Sequence, residues 1–117
     1  MEAVDRALRL IFYEQEPSES QKNLITEIGR LVQSRLLARL RQGGLEVSSI
    51  PGPLCAIATE LIIRRFNRIG SEGMKEEHVE GHSASYAVDD WSEFWPEIDA
   101  FAAEATGNGA RGKVRFL

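Results

Sequence analysis

The sequence predicts an all-α protein, a small bundle of three to four helices with a long loop at about residues 70–90 and an extended C-terminal tail. Apolar residues recur at helical spacing in several separate stretches, which is the primary signal for amphipathic helices. Glycine pairs, prolines and a capping sequence fall at the edges of those stretches. Only His82 to Val88 alternates as a strand would, and no second good strand exists for it to pair with.

The first helix is expected from Ala3 to Tyr13, where Val4, Leu8, Ile11 and Phe12 share a face. It must end before Pro17, because the residue preceding a proline is pushed out of the α region. The second begins with Ser18 and Gln21, spaced for a reciprocal capping box. Leu24, Ile25, Ile28, Leu31, Val32, Leu36 and Leu40 continue it as a broad apolar stripe. Arg30, Arg35, Arg39 and Arg41 lie on its other faces, the later ones suiting the negative end of the helix dipole. Gly43-Gly44 is the stop signal.

Pro51-Gly52-Pro53 reads as a stiff, non-helical connection. A third helix is expected from about Leu54 to Ile69, with Ile57, Leu61, Ile62 and Phe66 on its apolar side and Gly70 ending it. Gly, Ser and charge then dominate up to Asp90, a length of loop that compact domains usually reserve for function. The fourth helix opens near Asp90 or Ser92 on an aromatic-rich face of Trp91, Phe94, Trp95, Ile98 and Phe101. Asp90 and Glu93 have capping-box spacing, yet Pro96 cannot donate to Ser92, so the first turn is irregular or the helix starts later. Gly107-Asn108-Gly109 reads as a hinge, dividing a helical domain of residues 1–106 from a flexible tail of residues 107–117.

With 117 residues, 43% of them hydrophobic and 27% charged, the chain has the composition of one soluble globular domain. Its longest apolar runs are far short of a membrane span, and Glu2 and Asp5 near the start do not suit a secretory signal. A single cysteine, Cys55, fits a reducing compartment and no internal disulfide. The net charge of −4 conceals a segregation. Residues 72–104 hold ten acids (Glu72, Glu76, Glu77, Glu80, Asp89, Asp90, Glu93, Glu97, Asp99, Glu104) against Lys75 alone. The last segment carries Arg111, Lys113 and Arg115 and no acid. Self-associating subunits can use such a division head to tail, and a solvated acidic surface is the plainer account of it.

The chemistry-bearing clusters point away from catalysis. His78 and His82 lie four residues apart among carboxylates, but Val79 stands where a zinc protease needs glutamate, and Gly81 does not suit a helix. Cys55, in a run of small and aliphatic residues, is expected to be a buried structural thiol. Gly109-Ala110-Arg111-Gly112-Lys113 lacks the full phosphate-loop pattern. Arg64, Arg65 and Arg68 are neighbours on the third helix. They are placed to touch nucleic-acid phosphates, or to pair with Glu60, Glu72 or another subunit. The acidity of the chain favours the second use over a small helical DNA-binding module. No metal, cofactor or catalytic residue is expected.

Three stretches carry a resemblance. Arg64-Arg65-Phe66-Asn67-Arg68-Ile69-Gly70-Ser71-Glu72-Gly73-Met74 is followed by Val79-Glu80-Gly81-His82-Ser83, and the chain closes on Gly112-Lys113-Val114-Arg115-Phe116-Leu117. In this order, with an acidic aromatic helix between them, they resemble the head–tail connector (adaptor) proteins of long-tailed phages of Gram-positive hosts. The likeness covers roughly residues 51–117, whereas residues 1–50 agree only in character, as two helices ahead of the motif. It implies a small helical subunit of the virion, assembled in the host cytoplasm, typically as a dodecameric ring beneath the portal. Such a ring extends the DNA channel, passes DNA without sequence-specific binding, and docks a stopper or tail-completion protein. It does so without catalysis, cofactor or membrane. Carried onto this chain, the resemblance places Arg64, Arg65, Arg68, Glu72, Glu76, Glu77, Glu80 and His82 at intersubunit or channel-side contacts. It makes Arg111, Lys113, Val114, Arg115, Phe116 and Leu117 the tail that reaches the portal.

Overall fold

A computed structural model describes residues 1–73 and 90–107, with side chains described for residues 1–69 and 90–107. Its elements are α1 (Glu2–Ile11), α2 (Glu19–Gln42), a 3-10 turn (Gly52–Leu54), α3 (Cys55–Gly73) and, as the fourth helix, α4 (Trp95–Thr106). The all-α expectation holds, with no strand among the described residues. The expected loop between 74 and 89, including the weak strand-like run, and the tail from residue 108 lie outside them. No helix among the described residues is long and apolar enough to cross a membrane.

α1 stops at Ile11, two residues short of the sequence expectation. Phe12 caps it, donating its N–H to the Leu8 carbonyl at 3.0 Å. Glu14 then takes a left-handed conformation at φ 59°, which turns the chain before Pro17 is reached.

α2 starts as the sequence dictates. The Gln21 N–H donates to Ser18 Oγ at 3.1 Å, and the Ser18 N–H donates to Gln21 Oε1 at 2.8 Å. Two otherwise unpaired donors are thereby satisfied, an arrangement worth about 1 kcal/mol. At the far end Gly43 caps the helix, and Gly44 adopts φ 94°, a conformation that a side chain would strain.

Two boundaries around α3 differ from expectation. Pro51-Gly52-Pro53 is not wholly non-helical, because Gly52–Leu54 forms a 3-10 turn in which the Leu54 N–H reaches the Pro51 carbonyl at 2.9 Å. Proline suits this place, since the first N–H groups of a helix have no internal acceptor anyway. Gly70 does not end α3, which continues to Gly73. A glycine inside a helix costs only about 1 kcal/mol relative to alanine, so without a proline or a left-handed turn it weakens the helix and need not stop it.

α1 packs on α3 and α2, α2 packs on α3, and α4 lies on α2. The core joins Ala3, Val4 and Ala7 of α1 to Ile25, Ile28, Leu36 and Leu40 of α2, to Leu54, Leu61 and Ile62, and to Ile98 and Ala102 of α4. Leu31 departs from the expected stripe and stands 61% exposed. Cys55 is buried, as expected, and its carbonyl accepts the hydroxyl of the buried Thr59 at 2.8 Å.

Candidate functional site

A set of charged and aromatic side chains gathers where α2, α3 and the start of α4 meet. Trp91 begins the turn into α4, accepting at its carbonyl from the N–H groups of Phe94 (2.8 Å) and Trp95 (3.1 Å). α4 proper starts at Trp95, so the irregular turn and the later start, offered as alternatives by the Pro96 conflict, both occur. Pro96 falls in the first helical turn, where its missing donor leaves no bond unmade. The turn stacks Trp91 on Trp95, ring centroids 4.8 Å apart and planes 20° apart.

Two arginines of α3 hold this turn. Arg64 donates from Nη1 and Nη2 to the two carboxylate oxygens of Glu93, each at 3.1 Å, and from Nη2 to Glu60 at 2.9 Å. Its guanidinium also lies over the Phe94 ring, 5.0 Å from the centroid. The hydrogen bonds that Arg64 donates to Glu93, and then the one it donates to Glu60, raise the Arg64 pKa further, and Arg64 in turn holds the Glu93 carboxyl below the usual carboxylate value. Arg68 pairs with Asp90, and both side chains are largely shielded, at 22% and 14% exposure. The two pairs fasten α3 to the turn that precedes α4.

α2 contributes a second set. Arg39 donates from Nε to Asp99 Oδ1 at 2.9 Å and from Nη2 to Oδ2 at 2.8 Å, a two-point fork onto the side of α4. These bonds hold Asp99 below and Arg39 above their ordinary pKa values. Arg39 also lies 4.5 Å from the Trp95 ring centroid, and Arg35 sits 5.4 Å from that of Trp91. Beside this set opens a cavity of about 350 Å³, lined by Ile28, Leu31, Arg35, Leu61, Arg65 and Trp91 among others.

Of the sequence-predicted site residues, Arg64 and Arg68 are thus committed to carboxylates of their own chain, while Arg65 lines the cavity. Glu72 falls in the last turn of α3, and Glu76, Glu77, Glu80, His82, Arg111, Lys113, Val114, Arg115, Phe116 and Leu117 lie outside the described residues, as do His78 and the Gly109–Lys113 motif. Among the described residues no cluster of His, Cys, Asp and Glu could hold a metal ion. The sequence reading did not foresee the stacked tryptophans or the Arg39–Asp99 fork. The available signal was the pair Trp91 and Trp95, four apart, facing a helix rich in arginine.

A family model described as phage gp6-like head-tail connector protein matches residues 16–101. The match takes in α2, α3 and the first part of α4, and reaches into the half of the chain whose residues agreed only in character. No curated protein and no solved structure matches the chain.

Proposed function

This chain belongs to the phage gp6-like head–tail connector family, and from that premise we propose that it is a ring-forming subunit seated beneath the portal of a tailed-phage virion. It is a structural component joining head to tail. In the proposed ring it extends the DNA channel and offers the docking surface for a stopper or tail-completion protein, with no catalytic step. The observation that carries this reading is the family match over residues 16–101, across α2, α3 and into α4.

The charge pattern supports a passage and not a grip. DNA presents a negative charge every ~1.7 Å of its axis, so a lumen edged by Glu72, Glu76, Glu77 and Glu80, with His82 beside them, repels it and lets it slide. The alternative of a DNA-binding module needed Arg64, Arg65 and Arg68 free for phosphates. Arg64 and Arg68 are instead occupied by Glu60, Glu93 and Asp90, which favours the structural role.

Electron microscopy of the purified protein, alone and with its portal, tests the reading. Closed rings on the portal are expected. A monomer or two-fold dimer under all conditions, or tight salt-sensitive binding to free duplex, would refute it. Within this reading the segment from Arg111 to Leu117 reaches the portal. Deleting Arg111 to Leu117, which the sequence sets beyond the Gly107-Asn108-Gly109 hinge, should cost less than about 1 kcal/mol of stability while abolishing portal attachment in a pull-down.

A further inference from the structure

Two surfaces of the helical unit have complementary chemistry. The first is the cavity between α2 and α3, walled by Ile28, Leu61 and Trp91, with Leu31 standing 61% exposed beside it. Arg35 and Arg65 also line it, and neither has a carboxylate partner among the described residues. Its one acid, Asp90, is taken by Arg68.

The second surface is the corner where α1 turns towards α2. Leu10 is 64% and Tyr13 72% exposed there, the largest exposures among the described bulky apolar side chains. Tyr13 to Glu16 carries two carboxylates and no cation, and Glu14 and Glu16 are exposed without a cationic partner among the described residues. Leu31 stands away from the α1 contact: Gly29 is the point where α2 meets α1, and at 3.6 residues per turn Leu31 lies roughly 200° round the helix from it.

We propose that the α1–α2 corner of one copy seats in the α2–α3 cavity of the next, a proposal that rests on the ring reading and names the surfaces that build the ring. Leu10 and Tyr13 cover Leu31 and the apolar wall, and Glu14 and Glu16 meet Arg35 and Arg65. A phosphate backbone would answer the two guanidiniums but leave Leu31 and the wall in water, whereas a second copy answers both. Because each subunit uses two different patches, the contact is head to tail, the kind that closes into rings and not into two-fold dimers.

Sedimentation of the full chain over a concentration series, with electron microscopy on the portal, reads this contact. R35E/R65E and E14K/E16K should each weaken association at least about tenfold, and E14K/E16K, at exposed positions, should do so while thermal unfolding stays as in wild type. The chain carrying all four changes should regain it. Leu31→Ser, at an exposed position that spares the fold, should cause the same loss without placing a charge beside Arg35. Rings formed as readily by the single-surface variants as by wild type would overturn the proposal and leave the ring reading standing. A four-fold variant no better than either pair would overturn it too. R35E/R65E that keeps association but loses binding to duplex DNA would make the cavity a phosphate contact and refute it. Absence of wild-type rings on the portal would remove the ring reading and the proposal together.

Discussion

Gly29→Ala separates two opposing effects that the structure sets against each other. A methyl group built on Gly29 would lie 2.3 Å from Val4 Cγ2, where ordinary carbon contacts need about 3.5 to 4.0 Å. Val4 is 7% exposed and β-branched, so in a helix its side chain has essentially one rotamer and cannot swing aside. α1 must therefore move off α2, an overpacking cost of about 1–3 kcal/mol. Alanine in a helix interior recovers roughly 0.5–1 kcal/mol over glycine. The expected net loss is about 1–2 kcal/mol, or a fall in Tm of roughly 4–8 °C for a domain of this size. Thermal melts followed by far-ultraviolet circular dichroism measure it. In a Val4→Ala background the clashing methyl is gone, and Gly29→Ala should become neutral or stabilising, giving a clear non-additivity in the double-mutant cycle. A Gly29→Ala protein as stable as wild type, or a penalty that persists beside Ala at position 4, would refute the close helix approach.

Ile98 is fully buried and is the main apolar anchor of α4, so Ile98→Ala should cost about 2–5 kcal/mol, read as a lower denaturant midpoint. The pH dependence follows from carboxyls held below their ordinary values. Asp99 and Glu93 bind protons less readily when folded than when unfolded, so their pairing with Arg39 and Arg64 stabilises above the unfolded pKa and is lost as pH falls through the folded one. Melts taken from about pH 5 downwards should show Tm falling in wild type, and less steeply in D99N/E93Q.

What the sequence made legible was local. Ser18 and Gln21 meet across one helical turn, and Gly43-Gly44 acts on its own backbone, so both ends of α2 could be read without knowing the fold. The Pro96 conflict was legible in the same way and located the irregular turn ahead of α4. The candidate site was less so. Arg39 and Asp99 are 60 residues apart and Arg64 and Glu93 are 29 apart, and no local spacing reveals which of many acids a given arginine will find. Burial misled at Leu31, because helical periodicity defines a stripe but not how wide a stripe the neighbouring helices cover. Gly70 misled because a residue that weakens a helix was taken to end it.

The stacked indoles have a spectroscopic consequence. The chain contains two tryptophans, Trp91 in the turn that leads into α4 and Trp95 opening that helix, both beneath Arg35 and Arg39. Intrinsic fluorescence therefore watches one junction of the molecule, while far-ultraviolet dichroism averages over every helix. If α4 lifts away before the α1–α2–α3 core melts, emission will change at a lower temperature than ellipticity. If the two curves coincide, the junction and the core unfold as one cooperative unit. The protein carries its own reporter for the docking of its last described helix, and no label need be introduced to read it.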